Sequence, residues 1–365
     1  MPPKHADIVI IGAGLCGLAT ARLLTAGTKS IVVLEATERA GGRIRSVFDP
    51  KGQPVADLGP TWVWPDYQPV AARWLADLQI PTYPQFSSGQ LVFDHGPAQP
   101  PTRHDVPAQE GSMCIVGGPQ SLINRLVDDL PDQLLHLNSP VTSVTFHDDS
   151  VLVNVQTAQG DHQLSCHQLV VAIPPRIAQE RITWVPSLAE PLRSALSQTP
   201  TWMSAHAKAV ALFEHPYWRD CGLSGRLASH CGPIAEGHDH CGPQGHPAAI
   251  FGFIGWPAIE RRARADELKQ KIHEQLIRCF GASSPAPLAI HIQDWATESR
   301  VTTGSDIDGQ MSHPAIRPDI LRHSHQNHRL WFAGAETASL SPGLIEGALD
   351  SAQRIARSLL GQEPN

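Results

Sequence analysis

IVIIGAGLCGLATARLLTAGTKSIVVLEATERAGGR, residues 8–43, is the stretch that decides the fold. Its first four residues, Ile8 to Ile11, are an apolar run of the length expected for a buried strand. They lead straight into Gly12-Ala13-Gly14-Leu15-Cys16-Gly17 and an Ala- and Leu-rich helical stretch. In such a turn Gly12 permits the sharp reversal, Gly14 leaves no side chain in the way of a pyrophosphate, and Gly17 lets helix and sheet approach closely. The helix N-terminus then faces the phosphates. A second apolar run, Ile31 to Leu34, ends in Glu35, where a carboxylate can accept hydrogen bonds from both ribose hydroxyls and would disfavour a ribose 2′-phosphate. Strand, glycine turn, helix, strand and acid in this order predict a Rossmann-like dinucleotide grip. The fingerprint leaves NAD and FAD both open. Gly41-Gly42-Arg43, a glycine pair beside a cation that can clamp a diphosphate with two hydrogen bonds, favours FAD.

Composition narrows the class. The chain has 365 residues, 41% hydrophobic and 17% charged, enough for two modest domains with a soluble globular balance. A formal charge of −7 argues against nucleic acid or an anionic membrane as partner, so small molecules are expected. Met1-Pro2-Pro3-Lys4-His5 has no apolar signal-peptide core, and no apolar run approaches the roughly twenty residues of a membrane span. Seven scattered cysteines form no disulfide framework. A cytoplasmic protein without a membrane anchor is expected, with a homo-oligomer left open.

Proline and glycine punctuate the chain at 50–54, 96–107 and 222–245. Between these breaks, residues 120–130 carry apolar positions at helical spacing, and 141–146 with 151–155 predict a hairpin. Leu169 to Ile173 predicts a buried strand, stopped by Pro174-Pro175, that can re-enter the nucleotide sheet. Residues 206–213, 249–254 and 288–293 predict strands of another sheet, with an amphipathic helix over 266–280. A final strand at 330–333 leads through Gly334 into a helix ending near Leu360. In the 204–213 strand, Ser204, His206, Lys208 and Val210 share one face, opposite Ala205, Ala207, Ala209 and Ala211. A buried lysine there needs a purpose or a partner. The His- and Cys-rich segment His230 to His246 has no tight metal-ligand spacing, and no metal is expected.

Several motifs occur in an order similar to that of the flavin-containing amine oxidases, the family of monoamine and polyamine oxidases. They are Asp57-Leu58-Gly59-Pro60-Thr61-Trp62, Gly117-Gly118-Pro119-Gln120, Ala172-Ile173-Pro174-Pro175, Lys208 with Pro216-Tyr217-Trp218-Arg219, Pro247 to Phe253, Asp294-Trp295-Ala296, and Trp331 to Thr337 followed by Gly343 to Ala348. The resemblance spans nearly the whole chain. It implies an α/β fold with a discontinuous Rossmann-like FAD-binding domain (1–65, 113–183 and 294–365) and an α+β substrate domain (66–112 and 184–293). It also implies flavin contacts from Gly59, Pro60, Thr61, Trp62, Val141, Gly334, Glu336, Leu344 and Ile345, in addition to Gly12, Gly14, Gly17, Glu35, Gly42 and Arg43. A helix starting at Gly343 would turn its positive end toward the flavin. Lys208 is the expected catalytic residue, holding a water near flavin N5. Trp64, His206, His238, Ser305 and Leu344 are candidate substrate residues.

Two departures limit what the resemblance implies about substrate. The position of the cysteine through which many monoamine oxidases hold flavin falls at Gly304, so FAD is expected to be non-covalent. Ser305 and Leu344 stand where the family's paired tyrosines would flank the amine. The expected activity is a flavin-dependent oxidation of an amine C–N bond, with dioxygen as acceptor. The products would be an imine, hydrolysed to a carbonyl, and hydrogen peroxide. A C–C or C–H desaturase resembling protoporphyrinogen oxidase, and a flavin-binding module without turnover, remain alternatives.

Overall fold

In the computed structural model, which describes residues 1–107, 110–281, 285–307, 316 and 319–361, Ile8 to Ile11 lie at the centre of a sheet. The strand His5–Ile11 pairs in parallel with Ile31–Leu34 on one side and with the end of the long strand Gly160–Val171 on the other. That long strand is shared. Its first half pairs antiparallel with Val151–Thr157, and Leu169 to Val171 pair in parallel with Leu330–Phe332. The sheet therefore gathers strands from residues 5–34, 135–185 and 330–332, the discontinuity expected from the sequence.

Both faces of this sheet are covered, which is why its central strands read as unbroken apolar runs. Ile8, Ile10 and Val33 pack into a core with the helices Leu15–Leu24 and Ile345–Leu360. Val9, Ile11, Val32 and Val171 point the other way, into a core closed by Trp184, Leu192 and Leu196.

A second sheet runs in the order Ala289–Asp294, Ala207–Phe213, Ala248–Ile254, Ile234–Asp239, Leu223–Ser229, Gln90–Asp94, Thr102–His104. Ala207, Ala209 and Ala211 meet Leu268, Ile272 and Leu276 of the helix Ala265–Phe280, and their small side chains allow that helix to sit close. The opposite face carries Val210 and Phe251 against Val47, Ala56 and Leu58 of the first lobe. Lys208 thus points between the two lobes.

Three expectations change. Residues 222–245, read as a punctuated loop, contain the strands Leu223–Ser229 and Ile234–Asp239. The closing helix begins at Ile345, not Gly343. Residues 66–112 and 184–293 do not share one core. Val70, Ala71 and Trp74 of the helix Pro69–Asp77 pack on the closing helix side of the first sheet, and Leu192 and Leu196 of Glu190–Ser197 pack on its other side. Among the described residues no helix is long and apolar enough to cross a membrane. The chain end at 362–365 lies outside the described residues.

Candidate active site

The glycine turn divides its tasks as the sequence suggests. Gly12 has φ +104°, and a Cβ there would sit 2.7 Å from the Ala172 carbonyl oxygen. A Cβ on Gly17 would lie 2.0 Å from the Gly12 carbonyl oxygen, so only glycine lets the helix dock. At Gly14 a Cβ would meet nothing within 4 Å. The space it would enter is a cavity of about 950 Å³ that runs from the glycine turn to Lys208. Gly12, Gly14, Glu35, Gly42, Arg43 and Val141 line one part of it, and Gly17 stands behind the wall.

Two helix N-termini open on this cavity. Leu15–Leu24 starts from Gly14 and Ile345–Leu360 from Leu344, and neither has a side-chain cap. Unpaired N–H groups and the positive ends of two helix dipoles therefore converge on one space, which suits an anionic ligand. Glu35 ties the turn to the second strand. Its Oε2 accepts from Ala13 N at 2.9 Å, and its Oε1 accepts from Thr37 N and Oγ1 at 2.9 and 2.8 Å.

Arg43 is engaged differently from expectation. Both ends of its guanidinium fork donate to Glu336, Nη1 to Oε1 at 2.6 Å and Nη2 to Oε2 at 2.9 Å, and Nη1 also reaches the Trp202 carbonyl. Glu336 is buried, and a buried carboxylate requires such a partner. The fork expected for a diphosphate is thus committed within the protein, although Arg43, Glu336 and Gly334 all line the cavity.

At the other end, Lys208 is 3% exposed. Its Nζ donates to the Gly59 carbonyl at 3.0 Å and to Thr61 Oγ1, and lies 4.1 Å from the centre of the Phe251 ring. Burial pulls its ammonium down to about 8, against the smaller opposing pull of Asp57 and Cys114. A lysine in this state loses its proton at a lower pH than a solvated one.

Gly59, Pro60, Thr61 and Trp62 line the cavity beside Lys208. Trp62 and Trp64 are fixed by their indole N–H groups, on Gln85 Oε1 at 2.8 Å and Ser112 Oγ at 2.9 Å. Of the candidate substrate residues, Trp64, His206 and Leu344 line the cavity, and so does Ile345. Burial and Arg261 lower the His206 pKa, and its Nδ1 is buried without a hydrogen-bond partner. His238 and Ser305 do not line the cavity. His238 packs between Trp62 and Phe251, and Ser305 lies in the short helix Gly304–Ile307. Sequence reading missed Glu236 and Phe253, which do line it. Treating residues 234–239 as a strand would have put Glu236 and His238 on one face. Among the described residues the one His, Cys, Asp or Glu group compact enough to share a metal is His5, Asp7 and His167, not the His- and Cys-rich segment.

Proteins of known class are similar to this chain in sequence and fold. The chain is 29% identical over 248 residues to a probable flavin-containing monoamine oxidase A of Dictyostelium discoideum, covering 67% of this chain and only 52% of that protein. The dog amine oxidase [flavin-containing] B is 24% identical over 97% of this chain and 86% of its own length. A triple mutant of putrescine oxidase superposes with a TM-score of 0.80 at 20% identity, covering 98% of this chain and 99% of that one. Cyclohexylamine oxidase from Brevibacterium oxydans IH-35A also gives a TM-score of 0.80, at 18% identity over 98% and 99% of the two chains. These structural likenesses establish a shared fold. A sequence model described as NAD(P)-binding Rossmann-like domain matches residues 10–78, and one described as flavin containing amine oxidoreductase matches residues 98–360. The chain belongs to the flavin containing amine oxidoreductase family.

Proposed function

We propose that the protein binds FAD non-covalently in the cavity between its two lobes and oxidises a small amine at its C–N bond. The observation that carries this reading is one continuous cavity lined by two uncapped helix N-termini and a buried lysine. The side chain missing at Gly14 leaves a cradle that a Cβ would fill, as a closely approaching diphosphate needs. Glu35 would hold the ribose, Val141 the adenine side, and Gly42, Gly334, Glu336, Leu344 and Ile345 the rest of the cofactor. Bound FAD supplies the two-electron acceptor, with an imine that hydrolyses to a carbonyl on the amine side and hydrogen peroxide from dioxygen on the other.

The chain's own residues bind, orient and exclude water. Trp62, Trp64 and Phe253 give the amine an apolar wall, which favours its neutral form. Lys208 would hold a water or dioxygen through its Nζ, anchored by Gly59 and Thr61. The first lobe would act as the cofactor domain and the second sheet as the substrate wall.

Product analysis tests the reading. Protein loaded with FAD, given an amine panel in air, is expected to release peroxide together with a carbonyl compound and ammonia or a shorter amine. Peroxide without a nitrogen-containing product, on C–H substrates only, would replace it with desaturation.

A further inference from the structure

The strand His5–Ile11 ends at the glycine turn, and its other end carries a group of polar side chains that the flavin cavity does not use. His5, Asp7 and His167 each bring one possible ligand atom, and these atoms lie within 4.8 Å of one another. Backbone pairing explains why they meet. His5 pairs with Ser165, Ala6 with Cys166 and Ile8 with Gln168, so Asp7 and His167 stand side by side on neighbouring parallel strands. None of the three lines the cavity. Extended chain of about 23 Å separates His5 from Gly12.

Two of the three side chains are already oriented by neighbours. Asp7 Oδ2 accepts from Ser30 N and Ser30 Oγ, both at 2.7 Å, which leaves Oδ1 for another partner. The same bonds hold the Asp7 carboxyl below its ordinary range, so it is an anion at neutral pH. Ser165 Oγ donates to the Lys4 carbonyl at 3.3 Å and lies 3.0 Å from His5 Nδ1. With its own proton so directed, the hydroxyl accepts from Nδ1–H and leaves the lone pair on His5 Nε2. An imidazole that donates through one nitrogen and offers the other is the usual state of a metal-bound histidine. His167 packs edge-on against His5, with ring centres 5.3 Å apart, and holds no hydrogen bond among the described residues. Ligands at about 2.1 Å from a tetrahedral zinc lie roughly 3.4 Å apart, so the two exposed imidazoles need to move by about 1 Å.

We infer that His5, Asp7 and His167 form a binding site for a divalent transition metal of the zinc type, remote from the flavin cavity. Two imidazoles and one carboxylate suit zinc over magnesium or calcium, which take oxygen ligands. Three protein ligands leave a further position to water. The ion would join three strands at the rim of the first sheet. His5 and Asp7 come from one, His167 from Gly160–Val171, and Ser30, which holds Asp7, leads into Ile31–Leu34. Its role is structural and does not depend on the amine-oxidation reading.

The test is isothermal titration of chelator-treated, FAD-loaded protein with zinc chloride, beside thermal melts with and without zinc. The wild type is expected to take one zinc per chain with a Kd in the micromolar range and to melt at a higher temperature when the metal is bound. His167→Ala should raise Kd at least about tenfold and lose the melting shift, while its melting temperature without zinc stays that of the wild type. A Cys221→Ser/Cys231→Ser variant, which removes the two exposed thiols, should bind zinc as the wild type does. Titration with magnesium should give no binding. A wild type that takes no zinc, zinc binding that survives unchanged in His167→Ala, or binding that disappears with the two cysteines overturns the inference.

Discussion

Lys208 is an ammonium without solvent, held by one carbonyl, one hydroxyl and the face of Phe251. Its pKa of about 8 lies below the ordinary lysine value, so the folded state disfavours its charged form. The sign follows from linkage. The cost to stability is full below about pH 8 and is relieved as pH rises from there toward the unfolded value. Lys208→Met is therefore expected to raise the thermal midpoint at pH 7 while impairing function, the usual signature of a residue kept for chemistry. If the cation serves the dioxygen half-reaction, reoxidation of reduced flavin in Lys208→Met should slow on the order of tenfold, about 1.4 kcal/mol in the barrier. The wild-type rate should fall as pH rises through about 8, and the variant should lose that dependence. Stopped-flow traces that are unchanged in rate and pH profile would remove Lys208 from that role.

The glycine turn and the first helix make separable predictions. Gly14→Ala adds a methyl group to open space at a β-region backbone position, so the apoprotein's stability should change by no more than about 0.5 kcal/mol. Its affinity for FAD should fall sharply. Gly17→Ala drives a methyl group into the Gly12 carbonyl, and apoprotein and FAD affinity should suffer together, with roughly 1–3 kcal/mol lost from folding. Thermal melts of apoprotein beside a flavin titration distinguish the two. A second element-level test is Arg261→Ala. This buried guanidinium bridges Asp294 and the carbonyls of Trp256 and Ala205, and its loss should cost about 3–5 kcal/mol in a denaturant titration. The first lobe was legible in the sequence because doubly covered parallel strands leave uninterrupted apolar runs such as Ile8–Ile11 and Ile31–Leu34. The strands Leu223–Ser229 and Ile234–Asp239 were hidden by their glycines, which looked like turns. Gly225 is needed because a Cβ would lie 2.8 Å from Trp218 Nε1, and at Gly237 a Cβ would be a tight fit, 3.3 Å from the Phe251 carbonyl oxygen. Close packing and turning use the same residue, and only long-range contacts distinguish them. Misreading these strands also concealed Glu236.

The molecule as a whole joins two sheets across one cavity. Chain segments that are distant in sequence meet there, as Arg43 meets Glu336 and Lys208 meets Gly59. The cofactor end was readable from local motifs, because a pyrophosphate grip is built within one βαβ unit. The Lys208 end was not, because its wall comes from separate strands whose pairing no local pattern reveals. Ser305 and His238 were expected in that wall and stand outside it, while Phe253 and Glu236 belong to it. The central claim is that this cavity couples a bound flavin to amine oxidation. The most direct measurement is anaerobic titration of the FAD-loaded protein with an amine panel, followed through the visible absorption of the flavin. At least one amine is expected to bleach the flavin, and admitting air is expected to restore the colour with release of peroxide. If every amine leaves the spectrum unchanged while a chemical reductant bleaches it, the claim is contradicted.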